Sequence, residues 1–250
     1  MDKALYIAMS GAKQNMLAQA AHANNLANAN TTGFKQDFAQ ARSMKVFGEG
    51  HDTRAYAMAE RPGTDMSSGS LNETGRSLDI AVHGEGWIAV QSDGGTEAFT
   101  RRGDLAVDVN GILRNGEGLP VLGNGGPIAL PPASQVEVGA DGTISVIPIG
   151  GAPDQMVEID RIKLVNPPAR DLVKGEDGLV RRKPDVALEG VEPADAMVTV
   201  EPGFLETSNV NAISALIQTL ELSRQYEMQV KVMSSADQNG EVAARLLQNL

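Results

Sequence analysis

The sequence predicts an α+β fold: long N- and C-terminal α-helices paired as a coiled-coil-like unit, flanking a central antiparallel β-domain. All twelve prolines lie between Pro62 and Pro202, and proline breaks helix interiors, so long helices are confined to the two ends. Apolar residues recur at helical spacing at both ends. From Leu78 onward the period falls to two, and strand-like runs alternate with Asn-Gly and Asp-Gly pairs.

The first helix is expected from Asp2 to about Ala29. Leu5, Met9, Ala12, Met16, Gln19, Ala23 and Leu26 follow alternating spacings of four and three, a heptad seam in which only Gln19 is polar. The helix should stop in Asn24-Asn25-Leu26-Ala27-Asn28-Ala29-Asn30-Thr31-Thr32-Gly33-Phe34. Asparagine competes with the helix by bonding nearby backbone. Four asparagines in seven residues imply a defined turn whose side-chain amides satisfy buried backbone groups. Gly33 suits a positive φ, and Phe34 can then pack back on the preceding turn.

Residues 35–75 are polar and weakly patterned, and are read with 191–204 as extended connecting segments. The β-domain is expected over 76–190. Leu78/Ile80/Val82, Trp87-Ile88-Ala89-Val90, Leu105/Val107/Val109, Val136/Val138, Ile144/Val146 and Val157/Ile159 supply the strands. Asp93-Gly94, Asn110-Gly111, Asn115-Gly116, Asn124-Gly125 and Asp141-Gly142 supply turns of positive φ. This is the part expected to fold unaided.

The last run, Ser208 to Leu250, contains no proline and one glycine, Gly240. Ile213, Leu216, Ile217, Leu220, Tyr226, Val230 and Met233 mark its main apolar seam, with Ala215, Leu222, Met228 and Val232 off it. A helix apolar most of the way round is buried most of the way round. Ser208 or Asn209 is placed to cap it, with Asn211 in the same stretch. The pattern alone leaves two readings open: a hairpin closed over its own core, or a shaft whose outer faces pack on other subunits.

Composition narrows the chemistry. The chain has no cysteine, which excludes a disulfide framework, a thiolate zinc site and a cysteine nucleophile. A net charge of −11 argues against nucleic acid and anionic membrane. Residues 1–34 carry +1 and residues 205–250 carry −2, leaving −10 in the middle. The ends can therefore pack against copies of themselves while the middle is solvated. No basic-then-apolar leader pattern opens the chain, and no run reaches the length of a membrane span.

His22, His51 and His83 fall in separate segments at no ligand spacing, so no metal site is expected. His83-Gly84-Glu85-Gly86 lacks the helix a phosphate cradle needs. Arg102-Gly103-Asp104 flanks a strand. Asp79, Asp104 and Asp108 show no spacing that singles out a glycosidase pair. No catalytic residue, cofactor-binding residue or cofactor is assigned.

Ala23 to Lys35 resembles the N-terminal signature of flagellar basal-body rod and hook proteins. Ser208-Asn209-Val210-Asn211, with Arg224-Gln225-Tyr226-Glu227, resembles their C-terminal signature. Ser77-Leu78-Asp79-Ile80-Ala81-Val82, Phe99-Thr100-Arg101 and Asp108-Val109-Asn110-Gly111-Ile112-Leu113 fit the family between them, so the resemblance spans almost the full length. The opening Met1-Asp2-Lys3-Ala4-Leu5-Tyr6 and Tyr226-Glu227-Met228-Gln229-Val230-Lys231 look most like members of the proximal rod, with the distal rod or hook paralogues as closest rivals. Phe204-Leu205-Glu206-Thr207 departs from the family, where a small residue and glycine are more usual.

The resemblance implies a structural subunit of the bacterial flagellum, with no enzymatic activity. It implies export through the flagellar type III apparatus without a cleaved signal, and helical assembly in the periplasm into the torque-transmitting drive shaft. It makes residues 1–34 and 205–250 an inner polymerisation domain and the β-domain an outer one. Expected partners are proximal and distal rod subunits, copies of itself and the export apparatus.

Inter-subunit packing is assigned to Leu5, Met9, Met16, Leu26, Ile213, Leu216, Ile217, Leu220, Tyr226, Val230 and Met233. The turn is assigned to Asn25, Asn28, Asn30, Thr32, Gly33 and Phe34, and the helix cap to Ser208, Asn209 and Asn211. Two alternatives of other classes are a soluble carbohydrate-acting enzyme working through the β-domain, and a monomeric adaptor with an intramolecular hairpin.

Overall fold

The computed structural model describes residues 2–45, 55–60, 63–150, 156–186 and 191–248. His51 and Pro62 lie outside the described residues. The chain divides into two compact units: Met1–Ala29, Asp37–Asp65 and Val210–Leu250 form one, Asn30–Gln36 and Met66–Asn209 the other.

In the first unit, helix α1 (Asp2–Ala27) packs along helix α2 (Ala212–Gln248). The buried and half-buried positions of α2 are Ala215, Thr219, Leu222, Ser223, Tyr226, Gln229, Met233, Ala236, Gly240 and Ala243. Apart from Ser223 they alternate spacings of four and three, which keeps one face of a helix in line. On α1 the fully buried apolar residues are Ala8 and Ala12. Gly11 sits against Gln229, whose carboxamide would be 3.2 Å from a Cβ placed there. Small residues on the facing sides let two helix axes come close.

This corrects the expected seams. Met9 and Met16 are half exposed to solvent, at 50% and 56%, while Ala8 beside Met9 is buried. On α2, Ala215 and Leu222, which the pattern put off the main seam, lie on the covered side. Periodicity marks apolar stripes but does not say which of two adjacent stripes faces the partner. At the points of closest approach the contact is made by small residues, Ala8, Gly11 and Ala12 of α1 and Ala215 of α2, while Leu222, Tyr226 and Met233 fill the rest of the covered face.

Residues expected only as extended connector contain a hairpin. Gln40–Lys45 pairs antiparallel with Ala55–Glu60, matching Arg42 with Met58 and Met44 with Tyr56, and both strands pack on α1.

The second unit is antiparallel throughout its ladders. One five-stranded sheet runs in the order Leu164–Val165, Trp87–Gln91, Glu97–Thr100, Val180–Arg182, Leu172–Lys174. A three-stranded sheet is built from Val157–Arg161, Thr143–Pro148 and Ala133–Val138. Its largest core cluster is aliphatic, including Ile80, Ile88, Leu105, Leu113, Ile128, Ile144 and Ile162. A smaller cluster gathers Trp87, Phe99, Val165, Leu172 and Val180.

This unit is wider than residues 76–190. Thr199–Pro202 pairs with Ile80–His83, placing Val200 opposite Val82. Val198 and Val200 are both buried in the main core. Phe204–Glu206 then pairs with Leu71–Glu73. Parts of the segments read as connectors, Leu71–Glu73 and Thr199–Pro202, are therefore strands of the body.

Candidate functional site

Three sequence motifs meet in the second unit around one carboxylate. Glu206 ends the strand Phe204–Glu206, and its side chain is 0% exposed. Lys35 Nζ donates to its Oε1 at 2.6 Å, and Arg101 Nη1 donates to its Oε2 at 2.8 Å. The Gly69 N–H adds a third bond to Oε1 at 2.9 Å. The Lys35 and Arg101 side chains are themselves 2% and 3% exposed.

Each cation is further fixed. Lys35 Nζ also donates to the Ser67 carbonyl at 2.7 Å, and Arg101 Nη2 to the Gly84 carbonyl at 2.7 Å. Arg101 lies 5.3 Å and Lys35 6.0 Å from the centre of the Trp87 ring, within the range of cation–π attraction. Lys174 Nζ donates to the Lys35 carbonyl at 2.6 Å and stands 3.9 Å from the centre of the Phe34 ring. A buried ion pair stabilises a fold only when its remaining hydrogen-bonding capacity is met. Here both carboxylate oxygens are met, while Arg101 Nε is buried without a hydrogen-bond partner among the described residues.

The backbone closes the same node. The Gly33 N–H donates to the Glu206 carbonyl at 2.8 Å. Gly33 has φ +67°, and a Cβ there would lie 2.4 Å from the Arg101 carbonyl carbon. Both the conformation and the close approach require glycine. Next in the chain, Asn209 Oδ1 accepts from the Gln36 N–H at 2.8 Å, and the Asn209 N–H donates to the Phe34 carbonyl at 3.3 Å.

In the helical unit, buried Asn25 clasps Asp37 from both sides. Its Oδ1 accepts from the Asp37 N–H at 3.0 Å and its Nδ2 donates to the Asp37 carbonyl at 2.8 Å. Asn28 Nδ2 donates to the Asn24 carbonyl at 3.0 Å. Asn30 is exposed, and Thr32 and Phe34 are half-buried. Asparagine-rich sequence thus supplies side chains that answer backbone groups where the helix ends.

The helix cap is corrected in part. α2 begins at Ala212, and Asn211 Oδ1 accepts from the Ser214 N–H at 3.1 Å, which makes Asn211 the N-cap. Ser208 is buried in the other unit, and Asn209 serves the node.

The residues assigned to packing fall into two sets. Met9, Met16, Ile213, Leu216, Ile217, Leu220 and Val230 are exposed, while Leu5, Leu26, Tyr226 and Met233 are half-buried. Tyr226 and Met233 belong to the face of α2 that is covered within the chain.

Sequence reasoning missed the node. Lys35, Arg101 and Glu206 each stand in a quoted motif, but ion pairing between residues 171 positions apart leaves no local period. The one available signal was Glu206 itself, a carboxylate in the departing stretch just before the terminal signature. Arg102-Gly103-Asp104 is structural too: Arg102 Nε donates to Asp104 Oδ1 at 2.8 Å. The hydrogen bond to Asp104 holds the Arg102 guanidinium above its ordinary pKa.

Comparison with known proteins agrees with these motifs. Residues 5–35 match the family described as flagella basal body rod protein, and residues 81–146 match the flagellar hook protein FlgE/F/G D1 domain. Residues 201–246 match the flagellar basal body rod FlgEFG protein C-terminal family. The chain is 41% identical over 249 residues to the flagellar basal-body rod protein FlgF of Escherichia coli (strain K12), covering 99% of each. It is 39% identical to FlgF of Salmonella typhimurium, again over 99% of each chain. To the flagellar basal-body rod protein FlgG of Bacillus subtilis it is 28% identical, over 95% of this chain and 96% of that one. These relatives are structural proteins, which sets aside the carbohydrate-acting alternative. The chain belongs to the flagellar basal-body rod protein family, and it is a structural subunit of the flagellar basal-body rod.

Proposed function

We propose that this subunit builds the proximal rod, polymerising through the outer faces of α1 and α2 to form a torque-transmitting shaft. The observation that carries the reading is the set of large apolar side chains that both helices leave in solvent on the sides away from their mutual contact. Tyr6, Met9, Met16 and Leu17 on α1 and Ile213, Leu216, Ile217, Leu220 and Met228 on α2 are all exposed. Contiguous exposed apolar surface marks an interaction site, whereas scattered residues do not. Tyr6, Met9 and Met16 fall at helical spacing on α1, as do Ile213, Ile217 and Leu220 on α2, so each set forms a stripe.

Burying such side chains contributes about 1.5–3 kcal/mol each before association costs. Several per joint suffice for a stable one. In this reading the helical unit is the polymerisation domain and the β-rich unit the outer domain. Neighbouring rod subunits and copies of this chain are the partners. Passage through the type III apparatus without a cleaved signal brings it to the periplasm. Identity of 41% and 39% to the two FlgF proteins, against 28% to the FlgG protein, supports the proximal over the distal rod.

Leu220→Asp tests the reading. The variant subunit should fold, yet be absent from purified basal bodies, and cells carrying it should not swim. Normal motility with the variant incorporated would sink the assignment.

A further inference from the structure

We propose that Asn124 is a site of spontaneous deamidation, the one of four Asn-Gly pairs that the fold leaves open to it. The chain contains Asn110-Gly111, Asn115-Gly116, Asn124-Gly125 and Asn239-Gly240. In each, the backbone nitrogen of the glycine can attack the asparagine side-chain carbonyl carbon. A C–N bond forms to the glycine nitrogen, which gives up its proton, and the side-chain nitrogen leaves as ammonia. Water then opens the cyclic imide to aspartate or isoaspartate, with no change in oxidation state. The step needs a free side chain, a glycine nitrogen released from hydrogen bonding, and a backbone able to turn the two together.

Three of the pairs are held against it. At Asn110, the N–H donates to Asp108 Oδ1 at 2.8 Å and the Gly111 N–H donates to the Asp108 carbonyl at 3.0 Å. Gly111 is also pressed against the Leu130 carbonyl, 2.6 Å from where its Cβ would stand. Asn115 is buried, and its Oδ1 accepts from the Glu117 and Leu119 N–H groups at 3.1 and 2.9 Å. Asn239 and Gly240 lie inside α2, where the glycine N–H belongs to the helix ladder.

Asn124 meets all three conditions. It and Gly125 are both exposed. Among the described residues, neither the Asn124 side chain nor the Gly125 N–H has a hydrogen-bond partner. Gly125 and Gly126 have no heavy atom within 4 Å of an added Cβ, so no neighbouring group obstructs rotation at the tip of the turn.

The product would disturb its surroundings. Isoaspartate inserts a methylene into the main chain of a turn closed by the 2.7 Å bond from the Gly123 N–H to the Gly126 carbonyl. It also adds a negative charge next to Gly123, against which the Asp160 carboxylate is packed.

The test ages the purified full-length chain in mildly alkaline buffer, natively and in denaturant, and maps all four peptides by mass. An isoaspartyl-specific carboxyl methyltransferase with labelled methyl donor supplies the second readout. In the native sample the Asn124 peptide should convert at least about tenfold faster than the other three, since local opening must precede reaction at protected sites. In denaturant the ranking should collapse, and Asn124→Gln should remove the native methyl label from the peptide that contains residue 124. Native conversion led by Asn110, Asn115 or Asn239 would overturn the proposal. So would no native conversion of Asn124 while the denatured chain reacts, or a ranking unchanged by denaturant.

Discussion

Lys35 and Glu206, 171 positions apart, meet at 2.6 Å with side chains almost wholly removed from solvent. The lysine closes the N-terminal signature and the glutamate stands just before the C-terminal one. Arg101 of the central motif holds the other carboxylate oxygen at 2.8 Å. Residues of the N-terminal signature and of the central motif thus meet, in one buried contact within one unit of the fold, a carboxylate from the stretch that departs from the family. Removing one member strands the others in a dry site.

Glu206→Ala should therefore destabilise the chain by about 3–5 kcal/mol, the usual cost of breaking a buried pair from one side. Glu206→Gln should cost less, because amide hydrogen bonding remains. Trp87 is the only tryptophan in the chain and packs beside both cations. Its fluorescence during urea unfolding reports the node directly. A midpoint unmoved by Glu206→Ala would show that the pair contributes nothing.

Gly33→Ala should cost more than about 1 kcal/mol, since alanine at positive φ is strained and the Cβ would overlap Arg101 backbone. Gly75→Ala is the control: its φ is +70° but nothing lies within 4 Å of an added Cβ. The difference in unfolding midpoint between the two variants isolates the close approach.

Ala215→Leu should destabilise the helical unit by about 1–3 kcal/mol through overpacking of a buried site. Leu216→Ser, next in sequence but exposed, should change stability by less than about 0.5 kcal/mol. Thermal unfolding followed by helix circular dichroism compares them. Equal effects would mean that the covered face of α2 is not the one through Ala215.

A fragment of residues 76–190 should fail to reach a native core, contrary to the expectation that it folds alone. It lacks the strand Thr199–Pro202, which covers Ile80–His83, and the Glu206 carboxylate that Arg101 requires. Amide dispersion in a proton–nitrogen NMR spectrum distinguishes a folded fragment from a collapsed one.

Burial lowers the pKa of His22 from its ordinary 6.5. The unfolded chain then takes up its proton first as pH falls, so acid favours unfolding. This penalty is absent well above pH 6.5, and grows as pH falls through that value until the folded group also protonates. His22→Gln should flatten stability against pH across this window, measured by denaturant titration at successive pH values.

Local chemistry wrote much of the fold into the chain. Proline confinement located the two helices, period-two runs located many of the strands, and the asparagine-rich stretch announced the end of α1. Gly33 was identifiable because a positive φ leaves few other choices. The strands Gln40–Lys45 and Ala55–Glu60 were not legible, because their alternation is weak and their pairing partners supply what order they have.

By itself the sequence determined the two helices and many strands of the body, since those depend on dihedral preferences and on periods that neighbouring residues express together. Only the tertiary structure decided which stripe of α1 faces α2, and that Lys35, Arg101 and Glu206 belong to one another. Both outcomes depend on distances between residues far apart in the chain. A close helix contact selects for small side chains, and a buried charge selects for an opposite one, but neither requirement has a period to read.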